Sequence, residues 1–278
     1  MNWGNTKISL QESAKYSSVI EPEWSAAGDS IKGLLLGMSA APLLLVSVYF
    51  FKASPRFFSR EHGISLLAYI SSSFLAALGV ILYGLPIVIT SFQILPMLNQ
   101  VFVASFTFSL QSAGAIFLTV LSIYFSMVGY QKSEQTSSVS WLSLVLFLAV
   151  LALAILKLTM HGERVGRHLS LEKLSDLMCM LVLSAESAIG FGALCAFAYI
   201  FNLFLPAVAL ITSMSFLLAM EKALYYYPAT AVIPVFTVFL RVFGAIFSMQ
   251  MFTNAFNPAV ALSLILGAIS SLFPLILA

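Results

Sequence analysis

Long apolar stretches cut by short polar ones make up most of this chain. A helix crossing a bilayer needs about 20 apolar residues. That length predicts spans over 31–51, 64–85, 86–106, 112–130, 141–159, 174–201, 205–225, 228–251 and 257–277. The separators are of two kinds. Residues 52–63, 131–140 and 160–173 are polar loops with charges, whereas the breaks near Pro86, Gln111, Asn202, Pro228 and Asn257 are very short. The expected fold class is all-α, a polytopic membrane protein of about nine transmembrane helices. Pro86, Pro228 and Pro258 each suit a first helical turn, where a missing N–H costs nothing. Pro96 and Pro234 fall inside spans and should kink or break them. Irregular backbone at membrane depth needs cover from protein or from a wet cavity. A kink there is either part of a pathway or an ordinary packed bend.

One unit recurs. Residues 216–251 read as two apolar helices joined at Pro228, and residues 74–109 repeat that frame more faintly. Tyr83-Gly84-Leu85-Pro86 stands where Tyr225-Tyr226-Tyr227-Pro228 stands 142 positions later, and at the same offset Asn99 falls opposite Arg241. Spans two to four then match spans seven to nine. An offset of five helices is odd, so the second copy is inverted, a build shared by many secondary carriers. The division is a polar tail at 1–30, a first repeat at 31–130, a connecting helix at 141–159 and a second repeat at 174–278. The fold expected is one of inverted four-helix repeats with a connecting helix.

Composition agrees with lipid as the main solvent. The chain is 60% hydrophobic and 9% charged, and its mean hydropathy is +1.01. A net charge of +2 without a basic run argues against a nucleic-acid partner. Cys179 and Cys195 lie 16 apart on one expected helix and cannot bridge each other, so buried free thiols are expected. Residues 1–30 lack the apolar core of a cleaved signal and carry Lys7, Glu12, Lys15, Glu21, Glu23 and Asp29. A poorly ordered tail is expected there, with an interfacial helix around Trp3, Ile8 and Leu10 as the alternative.

Charge asymmetry sets the orientation. Lys52, Arg56 and Arg60 fall on one side, together with Lys157, Arg164, Arg167 and Lys173; the other side has Lys32, Lys132 and two lysines of the tail. Cytosolic loops carry the excess of Lys and Arg. The N-terminus is therefore expected outside the cytosol and the C-terminus inside it.

Glu221-Lys222-Ala223-Leu224, followed by a short turn and Val232-Ile233-Pro234, resembles a stretch of NIPA-type magnesium transporters. These belong to the drug/metabolite transporter superfamily. Tyr83, Pro86-Ile87-Val88-Ile89-Thr90, the run into Gln111 and the small-residue helix Gly114–Gly129 extend the resemblance through the first half. His161-Gly162-Glu163-Arg164-Val165-Gly166-Arg167-His168 matches a basic loop of that family. The resemblance covers most of residues 31–278 and implies nine helices, an extracytosolic N-terminus and divalent-cation transport. Ala76 and Gly79 stand where the family has Glu and Asn, and Ser187 stands near its lysine.

Few residues can carry chemistry at membrane depth. Glu186 and Arg241 are expected at nearly equal depth near the bilayer middle, where an ionisable group is a functional candidate by default. They form either an ion pair, structural or functional, or Glu186 is a cation or proton ligand. Asp176 and Lys222 share the cytosolic third and could pair as a lock or an inner gate. Asn99 and Gln100 offer amides to a solute or to neighbouring helices. The substrate-binding candidates are thus Glu186, Arg241, Asn99, Gln100, Glu221 and Lys222; the metal candidates are Glu186, Glu221 and Asp176. His62, His161 and His168 lie in expected loops without ligand spacing. Asn257-Pro258-Ala259 reads as a capped helix start, and Gly33-x-x-x-Gly37 as a packing face. No catalytic motif is present, so no enzyme and no cofactor are expected.

The leading expectation is transport of a divalent cation, with Mg2+ first among them, which keeps its waters and needs only one or two carboxylates. One alternative is a carrier of a small organic solute, suited to the aromatic segments 225–227 and 236–247. The other is a non-transporting scaffold or assembly subunit. The partners expected are a small ion or small molecule and the lipid bilayer; homo-oligomers fit each of these readings.

Overall fold

The computed structural model describes residues 28–50, 60–103, 110–131, 134–135, 176–201, 206–253 and 258–276. Among them the helices are α1 (Gly28–Phe50), α2 (Arg60–Tyr83), α3 (Leu85–Ser91), α4 (Leu95–Val103), α5 (Leu110–Gln131), α6 (Asp176–Phe201), α7 (Pro206–Tyr226), α8 (Ala229–Met251) and α9 (Pro258–Ile276). A 3-10 turn, Phe92–Ile94, joins α3 to α4. Two two-residue strands, β1 (Glu134–Gln135) and β2 (Phe252–Thr253), pair antiparallel. The described chain is thus almost wholly helical. By length and composition four helices are apolar enough to cross a membrane: Gly28–Phe50, Arg60–Tyr83, Met180–Tyr199 and Ala229–Ile246. Leu85–Val101, Ala113–Gly129 and Pro258–Leu272 are apolar but shorter. Four of the expected spans thus recur as helices long enough to cross, while the span expected at 86–106 is divided by the 3-10 turn into two short helices. The connecting helix expected at 141–159, residues 1–27 of the tail expected at 1–30 and the loop histidines His161 and His168 lie outside the described residues, while 28–30 open α1.

Helix ends follow the prolines and glycines. Gly84 caps α3 at φ 98°, a conformation that favours glycine, and Pro86 sits in the first turn. Pro258 opens α9. Pro228 was expected inside a first turn but stands just before α8, where its carbonyl accepts from Ala231 and Val232 at 2.9 and 3.1 Å. Pro96 breaks its helix, but upstream of itself. In a regular helix residue 96 would donate to the Phe92 carbonyl; proline cannot, and Leu95 N–H takes that acceptor instead. Pro234 causes no such break, and α8 runs on through it. His62, expected in a loop, lies in the first turn of α2.

Interior hydroxyls show how polar groups survive in an apolar bundle. Thr90, Thr119, Ser187, Thr237 and Ser248 each donate to the carbonyl four residues back, at 2.7 to 2.9 Å. Others tie helices together. Ser65 donates to Ser47 O at 2.7 Å and Ser72 to Ala40 O at 2.8 Å, so α1 and α2 run antiparallel. Gly33 and Gly37 let α1 lie close against Tyr83, Ile87 and Ser91, the packing face expected from their spacing. In the second half α6 packs on α7 and on α8, as α1 packs on α2 and on α3. The centre is filled by five buried rings, Tyr69, Phe92, Phe191, Phe216 and Phe236, with neighbouring centroids 5.0 to 6.3 Å apart. These rings bring α2, the 3-10 turn, α6, α7 and α8 together.

Among the described residues α5 packs extensively along α9. They cross antiparallel, with Ser122 against Ser263 and Ala115 against Ser270. The β1–β2 pairing brings the C-terminal end of α5 to the C-terminal end of α8.

Candidate functional site

A polar centre forms where the broken helix meets the α5–α9 crossing. The 3-10 turn places Gln93 inward, α5 contributes Ser122, α9 contributes Ser263, and α8 sends in Arg241. All four are buried; Arg241 is 5% exposed and Gln93 1%. Arg241 Nη1 donates to Gln93 Oε1 at 2.6 Å, Ser122 Oγ at 2.7 Å and Ser263 O at 3.0 Å, and Nη2 donates to Ser263 Oγ at 2.6 Å. Ser122 Oγ lies 2.9 Å from Gln93 Oε1 and 2.6 Å from Ser263 O, and Ser263 Oγ donates to Ser122 O at 2.7 Å. A guanidinium stays charged at every accessible pH, and burial costs it several kcal/mol. Charge-assisted hydrogen bonds offset part of that cost, at about 1.5–3 kcal/mol each. Gly267 makes the room: a Cβ there would lie 1.7 Å from Nη1. Gln93 Nε2 is buried without a hydrogen-bond partner.

A second polar node holds the far end of the broken helix. Tyr49 of α1 donates to Asn99 Oδ1, and Asn99 Nδ2 donates to Ala229 O at 3.2 Å. One buried amide thus links α1, α4 and the start of α8.

The candidate residues read from sequence are spread over several places. Arg241 and Asn99 occupy the two separate nodes just described. Gln100 is half-buried on α4, next to Asn99 in sequence. Glu186 is half-buried on α6, which packs on α8. Glu221 is exposed on α7 and Lys222 beside it is half-buried. Asp176 opens α6, and its side chain lies outside the described residues. Among the described residues no three His, Cys, Asp or Glu side chains gather as a metal site. Cys195 is a buried free thiol.

Gln93, Ser122, Ser263 and Tyr49 escaped the reading of the sequence. Single polar residues on apolar helices carry no spacing of their own. One signal was available: Ser122 and Ser263 are 141 residues apart, one short of the offset between Pro86 and Pro228.

Compared with protein-family models, curated proteins and solved structures, the chain matches none.

Proposed function

We propose that this chain is an integral membrane carrier built from two inverted repeats joined by a connecting helix, with the drug/metabolite transporter architecture. The observation that carries the reading is the mutual contact of Ser122 and Ser263. When an inverted copy packs on its original, residues at nearly equivalent positions meet close to the two-fold axis, and these serines, one position from the 142-residue offset, bond reciprocally there. Further contacts support it. α1 pairs with α2 and lies along α3, and α6 pairs with α7 and lies along α8. The α3–turn–α4 segment and α8, whose starts carry the matching prolines, run antiparallel through Gln93–Arg241 and Asn99–Ala229. The β1–β2 pairing puts the ends of α5 and α8 on one face. Counting back from there through α8, α7 and α6, Asp176 falls on the opposite face from Gln135. One span at 141–159 satisfies that parity and brings the total to nine.

Carriers place their sites near the midplane, at the repeat interface, on discontinuous helices. The α3–turn–α4 break beside Arg241 and Gln93 is the described place that fits. Its donors favour a small organic solute as cargo. At 4 Å and an effective dielectric of about 20, a fixed guanidinium repels each further unit of positive charge by about 4 kcal/mol. Mg2+ is the second reading. It rests on Glu186, half-buried on α6, with Glu221 or Asp176 to complete one or two carboxylates.

Counterflow into liposomes carrying the purified chain, with Mg2+, other divalent ions and pooled metabolites as separate cargo sets, tests all three classes. Uptake of a metabolite supports the leading reading, uptake of Mg2+ alone supports the second, and uptake of neither leaves a scaffold.

A further inference from the structure

We infer that α4 is a hinged half-helix gate, latched shut by Asn99. Its purpose rests on the carrier reading, but its mechanics stand on three features of the bundle.

The first is the hinge. Between α3 and α4 the backbone passes through the 3-10 turn Phe92–Ile94, because Pro96 cannot supply the N–H that would continue the regular ladder. Three-residue 3-10 stretches inside helices often mark hinges.

The second is an anchor on one side of that hinge. Gln93 is clamped by Arg241 and Ser122, and Thr90 of α3 meets Ser126 of α5 at 2.7 Å. The Arg241 bonds are charge-assisted, so α3 and the turn are fixed to the α5–α9 crossing.

The third is the weaker tie on the other side. α4 packs on α8, and Asn99 binds it to Tyr49 and Ala229 through two neutral hydrogen bonds. Charge-assisted bonds are about twice as strong as neutral ones. The side of the hinge that yields first is therefore α4. When Asn99 lets go, α4 swings at the turn, while the Arg241 centre stays assembled behind it.

Hydrogen–deuterium exchange on the purified full chain in detergent tests this without any cargo. Amides of 97–103 should exchange faster than those of 85–91. Tyr49→Phe removes the hydroxyl that donates to Asn99, and should speed exchange in α4 about fivefold with α3 and α5 unchanged. Asn99→Ala should speed it further; if that variant does not fold, Tyr49→Phe decides alone. Exchange in α4 at the wild-type rate in folded Tyr49→Phe overturns the gate. So does an equal rise in every helix, which would mean general loosening. Flux in the liposome screen with no change in α4 exchange sinks the gate alone. The expected exchange without flux of any cargo leaves the gate standing and sinks the carrier.

Discussion

Ser122 and Ser263 each donate a hydroxyl to the other's backbone carbonyl, at 2.6 and 2.7 Å, and both accept from Arg241. Two serines in mutual contact are thereby coupled through one charge. Losing either should cost about 1 kcal/mol, the worth of a typical buried hydrogen bond. With one serine gone, the guanidinium still has the other and Gln93. With both gone, it loses two acceptor hydroxyls in a place water does not reach. Ser122→Ala with Ser263→Ala should therefore cost more than the two single losses together, by about 0.5–1 kcal/mol. Reversible unfolding in mixed micelles measures this, and strictly additive losses would mean that the charge is not shared.

Gly267 is where Arg241 fits or does not. A methyl group there would sit 1.7 Å from Nη1 and 2.8 Å from Gln93 Nε2. The nearer neighbour is not a free end, since the guanidinium is held at four contacts. Gly267→Ala should destabilise the chain by about 2 kcal/mol, within the usual range for overpacking. In an Arg241→Met background the same change should cost under about 0.5 kcal/mol, because a thioether can turn aside. Equal costs in the two backgrounds would place the clash elsewhere.

How far the sequence foretold this bundle follows from what a membrane demands of each residue. A crossing needs a run of about 20 apolar residues, so the four helices long and apolar enough to cross were legible from hydropathy alone. Pro258 and Pro86 were legible because a first turn tolerates proline. The break near Pro96 was legible, but its place was not. Proline acts on the carbonyl four residues back, and the distortion settled at Phe92–Ile94. His62 was read as loop because charges and Gly63 surround it, yet the first turn of α2 accepts Glu61 beside it. Arg241 stood out as a lone charge in an apolar helix. Its partners Gln93, Ser122 and Ser263 did not, because a buried hydroxyl or amide is ordinary until the fold shows what it faces.

Topology gives the next test. The matching ends of α5 and α8 and the charge asymmetry both predict that residues 58 and 166 face one side of the membrane and residue 136 the other. Phe58→Cys, Thr136→Cys and Gly166→Cys, each probed with an impermeant maleimide in sealed vesicles, should divide in that way. Labelling of 58 and 136 from the same side would sink the orientation and the inverted repeat together.

The cargo readings part company over Mg2+ and Glu186. A ligand that binds only the folded state stabilises it by RT ln(1 + [L]/Kd). A cation site with a Kd near 1 mM would add about 1.4 kcal/mol at roughly 10 mM Mg2+. For a chain of this size that is a rise in Tm of about 3 °C. Arg241 adds a fixed positive charge to the centre, and among the described residues no three His, Cys, Asp or Glu side chains gather as a metal site. The expected result is therefore no saturable rise with Mg2+, and Glu186→Gln should melt with the same indifference to the ion. Sodium chloride at matched ionic strength controls for screening of exposed charges, which falls with the Debye length and shows no saturation. A saturable rise with Mg2+ that Glu186→Gln abolishes would overturn the organic-solute reading and make Glu186 a cation ligand.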